Sequence, residues 1–168
     1  MLETKEYREM DQRPADHIIY KKRAALQFSL KAGAPIPISG GTGNYTGTKK
    51  GILFVVAAAS SGERSYDWAN KVTLGINEHE IAKLIRGLKG VKQSFFHDRN
   101  MGDPSKQGQE TKIMSISPSE DGEVLFVNIS EKKHGKENKI PGVPITKDEA
   151  VGLTALLESA IPRVLGWA

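Results

Sequence analysis

The sequence predicts an α+β fold in which a β-meander followed by a helix occurs twice within one domain. Two stretches carry that expectation, each written as an apolar strand end, a capping residue and a glutamate three positions on. They are Leu74-Gly75-Ile76-Asn77-Glu78-His79-Glu80-Ile81 and Val143-Pro144-Ile145-Thr146-Lys147-Asp148-Glu149-Ala150. Asn77 and Thr146 can accept from first-turn amides while Glu80 and Glu149 reach back to the cap residue's own N–H, so both are capping boxes. Thr146 follows Asn77 by 69 residues, and ahead of each box the chain reads as several strands separated by turn signals. Two copies of so long a unit do not make a solenoid, whose repeats are shorter and number three or more.

The elements follow in order. Met1 to Asp16 is polar and mixed in charge, and residues 1–16 are expected to be a flexible N-terminal segment ahead of a single domain over 17–168. Ile18-Ile19-Tyr20 opens an extended run that ends near Leu30 and contains Lys21-Lys22-Arg23. Ala32 to Lys50 is rich in Gly, Pro and Thr, leaving room for one short edge strand at Ile36 to Ser39. Gly51 to Ala59 is continuously apolar, and after Ser60-Ser61-Gly62 the chain returns through Tyr66-Asp67-Trp68 to Leu74. The first helix starts after Asn77, buries Ile81, Leu84, Ile85 and Leu88 on one face, and is ended by Gly87 and Gly90. The second meander reads Val91 to Asp98, Thr111 to Ser117, Glu123 to Glu131 and about Asn138 to Val143, with Asp121-Gly122 its best hairpin turn. The last helix runs from Lys147 to about Ser159, and Pro162 begins or kinks a final turn.

A chain of 168 residues with 38% apolar content can bury one sizeable core. Lysine and arginine exceed the acids for a formal charge of +4, which suits an anionic partner. The absence of cysteine excludes a disulfide framework and a thiolate metal site. No run is long enough to span a bilayer, and the N-terminus has neither a secretory apolar region nor acid-poor transit character. No membrane partner is expected. The location expected is cytoplasmic or nucleoid-associated if the N-terminus is authentic, and mitochondrial or plastid if a transit peptide was removed.

Chemistry-bearing motifs are few. The Gly40 to Gly51 loop lacks the G-x-x-x-x-G-K-[ST] order of a phosphate cradle. His97, Asp98, Asp103 and Glu110 could hold a divalent metal for phosphodiester cleavage, but a solvated loop between strands explains them with fewer assumptions. His79 sits in a helix first turn, and His17 and His134 in a tail and a turn. No nucleophile elbow is visible. The expectation is therefore no enzyme, no catalytic residues, no metal and no cofactor.

Aromatic and basic residues interleave on strands. Tyr20, Lys21, Lys22 and Arg23 lie together, as do Tyr66, Trp68 and Lys71, and then Phe95, Phe96 and His97. Single-stranded nucleic acid is held by this mixture, because bases stack on rings while cations neutralise phosphates. The competing reading is a basic β-rich domain whose rings fill the core, since period-2 alternation prevents Phe95 and Phe96 from both facing solvent.

These residues resemble the Whirly family of single-stranded DNA-binding proteins. Tyr20-Lys21-Lys22-Arg23-Ala24-Ala25-Leu26 is similar to that family's K-G-K-A-A-L strand, with Lys22 for the glycine and Arg23 for the second lysine. Tyr66-Asp67-Trp68 with Lys71 resembles its Y-D-W-x-x-K stretch, and Phe95-Phe96-His97-Asp98 its F-F-H-D. Pro144-Ile145-Thr146-Lys147 and Gly166-Trp167 resemble its P-I-T-K and G-W. The resemblance implies two antiparallel four-stranded sheets packed crosswise, each followed by a helix. It implies a homotetramer with helices at the centre, and single-stranded DNA running across the sheets. The kinetoplastid mitochondrial guide-RNA-binding proteins are similar in fold and bind RNA.

The expected function is sequence-tolerant single-stranded DNA binding that protects exposed strands in replication, recombination or repair. An RNA-binding or annealing factor on the same fold is the alternative. Phosphates are expected at Lys21, Arg23, Lys71 and Lys112, and bases on Tyr20, Tyr66, Trp68 and Phe95, with the exposed member of each neighbouring pair left open. Asp67 is expected to orient by accepting hydrogen bonds. Two further rivals are a metal-dependent nuclease using Asp98, Asp103 and Glu110, and a duplex-reading transcription factor. The second lacks a basic recognition helix, since the first helix offers only Lys83, Arg86 and Lys89. The final helix carries Val151, Leu153, Leu156, Leu157, Ile161, Val164 and Leu165 around more than one face, an excess that a second copy of the chain could bury.

Overall fold

The extended run at Ile18 to Leu30 turns out to be a hairpin. In the computed structural model, which describes residues 14–34 and 50–167, β1 (His17–Tyr20) and β2 (Ala24–Lys31) pair antiparallel with Tyr20 opposite Ala25. The Lys21 amide donates to the Ala24 carbonyl at 3.0 Å to close the bend. Lys21-Lys22-Arg23 contains none of the Gly, Pro, Asn or Asp that mark turns, so the break is invisible to local chemistry. Folding there lets the paired Ile19 and Leu26 both enter the core. The 1–13 segment and the edge strand expected at Ile36 to Ser39 lie outside the described residues, as does nearly all of the glycine-rich loop.

β3 (Ile52–Gly62) pairs with β2 on one side and β5 (Val72–Ile76) on the other, giving a four-strand sheet in the order β1-β2-β3-β5. A two-residue strand, β4 (Ser65–Tyr66), folds back on the far end of β3, and a single 3-10 turn at Trp68–Asn70 leads into β5. α1 (Glu78–Leu88) then buries Ile81, Leu84, Ile85 and Leu88 as expected. Gly87 does not end it. It is a buried helical residue where an added methyl would overlap the Ile116 side chain, and Gly90, with φ of +95°, makes the exit.

The second sheet runs β6-β7-β8-β9: β6 (Gln93–Asp98), β7 (Glu110–Pro118), β8 (Val124–Lys133) and β9 (Lys136–Thr146). Between Val127↔Val143 and Ile129↔Ile140 the register shifts, so Asn128 faces both Pro141 and Gly142. This bulge on an edge strand accommodates a proline that cannot donate to a ladder, and it turns Ile140 and Val143, three residues apart, to the same buried side.

Both capping boxes form. Asn77 accepts from the His79 and Glu80 amides, Thr146 from the Glu149 amide, and each glutamate returns to its cap residue's N–H. α2 (Lys147–Val164) overruns the stop expected at Ser159 and passes through Pro162. Its last turn is held because Ala160 and Val164 are buried, and because the Gly33 and Gly51 amides donate to the Arg163 and Val164 carbonyls, each at 2.8 Å. One core joins the parts: Leu26, Val55 and Leu74 from the first sheet, Phe95, Met114 and Ile116 from the second, Ile81 and Leu84 from α1, and Leu153 and Leu157 from α2.

Candidate nucleic-acid interface

Alternation along β2 and β3 sends Leu26, Phe28, Val55 and Ala57 into the core and puts Ala25, Gln27, Val56 and Ala58 on the opposite face, where Ala25, Val56 and Ala58 are covered too and Gln27 is half-buried. Tyr20 continues that outer row through its partner Ala25 to Ala58. Its ring is 59% exposed and lies 5.5 Å from the ring of Tyr66, which lies 6.4 Å from that of Trp68. The three rings thus form a continuous series, although Trp68 sits on the 3-10 turn rather than on a strand. Two anchors set their positions. The Tyr66 hydroxyl donates to the Lys21 carbonyl at 2.6 Å, and Asp67 accepts from the Asn70 amide and side chain. Asp67 therefore orients the turn, as expected.

The expected cations divide. Arg23, in the hairpin bend, and Lys71, just after the turn, are exposed, and among the described residues neither has an acidic partner. Lys21 is different. Its ammonium lies 2.6 Å from Glu149 and is mostly covered, so it bolts the β1–β2 bend to the N-terminus of α2 instead of standing free for phosphate. Burial of Glu149 acts to raise its carboxyl, but the Lys21 hydrogen bond, the Thr146 amide and the lysine's charge outweigh this and hold it below the ordinary carboxylate value. Lys112 is also committed: it donates to the Thr73 carbonyl at 2.6 Å and ties the second sheet to the open edge of the first.

Phe95 is corrected outright. It is 1% exposed, opposite Met114 in the core, with the Lys83 ammonium 4.6 Å from its ring centre. Its neighbour Phe96 takes the outward position at 54% exposure, paired with exposed Ile113. The outer face of the second sheet continues through Ser115, Asn128 and Ser130 to exposed Phe126. Phe126 was missed in the sequence although its signal was there. Leu125, Val127 and Ile129 set the buried parity of β8, which puts Phe126 out with Asn128 and Ser130.

The acids and histidines that could have held a metal are each engaged otherwise. His97 Nε2 lies 2.6 Å from Glu80, Asp98 accepts from the Asn100 and Gly108 amides, Asp103 from Ser105, and Glu110 faces Arg99 and His134. Among the described residues no three such side chains converge as a metal-binding group, and no helix is long and apolar enough to cross a membrane.

A duplicated four-strand-plus-helix unit, with exposed rings on both sheets, defines the class: a two-sheet α+β protein. Comparison with known proteins agrees. The profile of a family described as "Whirly transcription factor" matches residues 19–156, and the chain belongs to the Whirly family. It is 32% identical over 153 residues to the single-stranded DNA-binding protein WHY3, chloroplastic, of Arabidopsis thaliana, covering 90% of this chain and 56% of that protein. It is 31% identical over 154 residues to the mitochondrial WHY2 of the same plant, covering 91% and 63%. The chain thus spans between half and two thirds of these relatives' length. The crystal structure of Arabidopsis WHY3 superposes with a TM-score of 0.81 at 28% identity, covering 94% of this chain and 92% of that one. The structure of the plant transcriptional regulator PBF-2 gives 0.79 at 28% identity, covering 91% and 83%.

Proposed function

We propose that this protein binds single-stranded DNA across its outer sheet faces with little sequence preference, and that it performs no chemistry on it. The observation that carries the reading is the Tyr20, Tyr66 and Trp68 series, with exposed Arg23 and Lys71 three residues away in the chain from Tyr20 and Trp68 and without an acidic partner among the described residues. Rings stack any base at about 1–3 kcal/mol each, and neighbouring cations neutralise the backbone without reading sequence. The relatives' names, single-stranded DNA-binding proteins, support this choice. The word "transcription" in the family description does not favour duplex recognition by a helix here, since the Lys83 of α1 is tied to the Ser94 carbonyl. The role is protection of exposed strands in replication, recombination or repair. The chloroplastic and mitochondrial relatives favour an organellar setting.

The protein assembles as a homotetramer in this reading. α2 buries Leu153 and Leu157 but leaves Val151 72% exposed and Leu156 exposed as well, an apolar strip that a second copy would cover. Light scattering at micromolar concentration should return four times the 18.4 kDa of one chain, and a single-chain mass removes the assembly. Binding is tested by fluorescence anisotropy with single-stranded DNA, duplex DNA and RNA of one sequence at two salt concentrations. Single strands should bind far more tightly than duplex, with a log–log salt slope of about −0.7 per neutralised phosphate. Equal affinity for duplex sinks the reading, and tighter binding of RNA replaces it with the RNA-binding alternative.

A further inference from the structure

The second sheet is longer than its contact with the first. Beyond the core, its inner face becomes polar: His97, Lys112, Glu131 and Asn138 lie side by side in register, followed by Glu110 and Lys133. This overhang floors a cleft of about 660 Å³ whose opposite wall is β5, the edge of the first sheet. On an antiparallel edge strand alternate residues direct both N–H and C=O away from the sheet. The Thr73 carbonyl points outward, since it receives Lys112, and Gly75, two residues on, is the next to do so. No hydrogen bond outside the ladder engages Gly75 among the described residues, so its amide and carbonyl face the cleft unpaired.

Glu131 is the second unpaired group. It is half-buried in the cleft floor beside Lys112, yet Lys112 is committed to Thr73, and Glu131 has neither hydrogen bond nor ion pair among the described residues. A carboxylate here is unexpected in a cleft for a polyanion unless it meets a donor. At the mouth, Lys133 is exposed and unpaired among the described residues, Arg99 is exposed with only a loose contact of 3.4 Å to Glu110, and the exposed Met101 supplies an apolar rim.

We propose that this cleft takes one unstacked nucleobase bearing an exocyclic amine, with the Glu131 carboxylate and the Gly75 carbonyl accepting its amino edge. The site rests on the single-strand reading above and gives it a local preference. A carboxylate accepts from the N4 amine of cytosine and repels the O4 carbonyl that thymine presents at the same place. The Met101 side chain at the rim covers the face of the base, and Lys133 and Arg99 hold the phosphates on either side. Binding elsewhere remains indifferent to sequence.

The test compares oligo-dC and oligo-dT of matched length by anisotropy at one salt concentration, on the wild type and on Glu131→Gln and Glu131→Leu. The two pyrimidines are alike in size, so the comparison isolates the amino and carbonyl edges. The wild type should prefer dC by roughly tenfold, the scale of one hydrogen bond to a charged group. Glutamine can turn its amide to donate to thymine, and leucine offers no acceptor, so either variant should narrow the ratio to about twofold or less. Equal binding of dC and dT by the wild type overturns the site, as does an unchanged ratio in both variants. Failure to bind either oligonucleotide overturns the single-strand reading itself and takes the site with it.

Discussion

The two halves of the chain close their helices with the same cap but connect those caps differently and present different outer faces. Glu80 completes the first box and also meets His97 of the second sheet, while Glu149 completes the second box and meets Lys21 of the first. Each helix is thereby pinned to the sheet of the other half. The link in one case is an imidazole nitrogen and in the other an ammonium. Outside, the first half carries Tyr20, Tyr66 and Trp68 with the exposed cations Arg23 and Lys71, whereas the second sheet carries Phe96, Ile113 and Phe126 among serines and asparagine. A duplicated local code has kept its hydrogen bonds and let its surfaces diverge, because capping is decided within four residues and surface identity is decided one residue at a time.

Substitutions at adjacent phenylalanines should sharpen the contrast between inside and outside most. Phe95→Ala should cost about 3–5 kcal/mol of stability in urea unfolding, the range for truncating a buried aromatic, whereas Phe96→Ala should change stability little. Similar losses from both would mean that the outer face of the second sheet is itself buried by a partner.

Next in size is the comparison of faces. Trp68→Ala should weaken single-strand binding by roughly 1–3 kcal/mol while the circular dichroism spectrum is kept. Phe126→Ala, measured beside it, shows whether the second face carries DNA too, and an unchanged affinity confines stacking to the first sheet. Unfolding of Trp68→Ala would instead assign the ring to structure.

Smaller again is the effect of the bolt between halves. Glu149 has a folded-state carboxyl held below its ordinary value, so its stabilisation is present above the unfolded value and lost as pH falls through the folded one. Lys21→Met removes the main partner that lowers it. At neutral pH the variant should be less stable by about 0.2–1 kcal/mol, as befits a partly exposed pair, and the gap should close on acidification through the carboxylate range. A gap that persists in acid would show that the lysine stem, not its charge, makes the contact.

The finest distinction concerns charge alone. Lys71→Ala should lower the salt slope of binding by about 0.7, the share of one phosphate on a single strand, and Lys112→Ala should leave the slope unchanged because its ammonium is held by Thr73. Equal slope changes would mean that Lys112 lets go of Thr73 when DNA arrives.

The sequence by itself determined the parts whose physics is local. Both capping boxes, the buried stripe of α1, the strands of the second meander and the orienting role of Asp67 were legible, because each rests on hydrogen bonds or periodicities spanning a few residues. Only the tertiary structure decided the rest. The hairpin at Lys21-Lys22-Arg23 has no turn residue to announce it and exists because Ile19 and Leu26 share one core. Pro162 stays helical because Val164 is buried and two distant glycine amides close the helix end. Which of Phe95 and Phe96 faces water was left open by the sequence, because strand register, a property of the whole sheet, makes that choice, and it buries Phe95. Lys21 and Lys112 are cations in the sequence and fastenings in the fold, since their partners Glu149 and Thr73 stand 128 and 39 residues away, and pairings at that range are made by packing rather than by anything a short stretch of chain can encode.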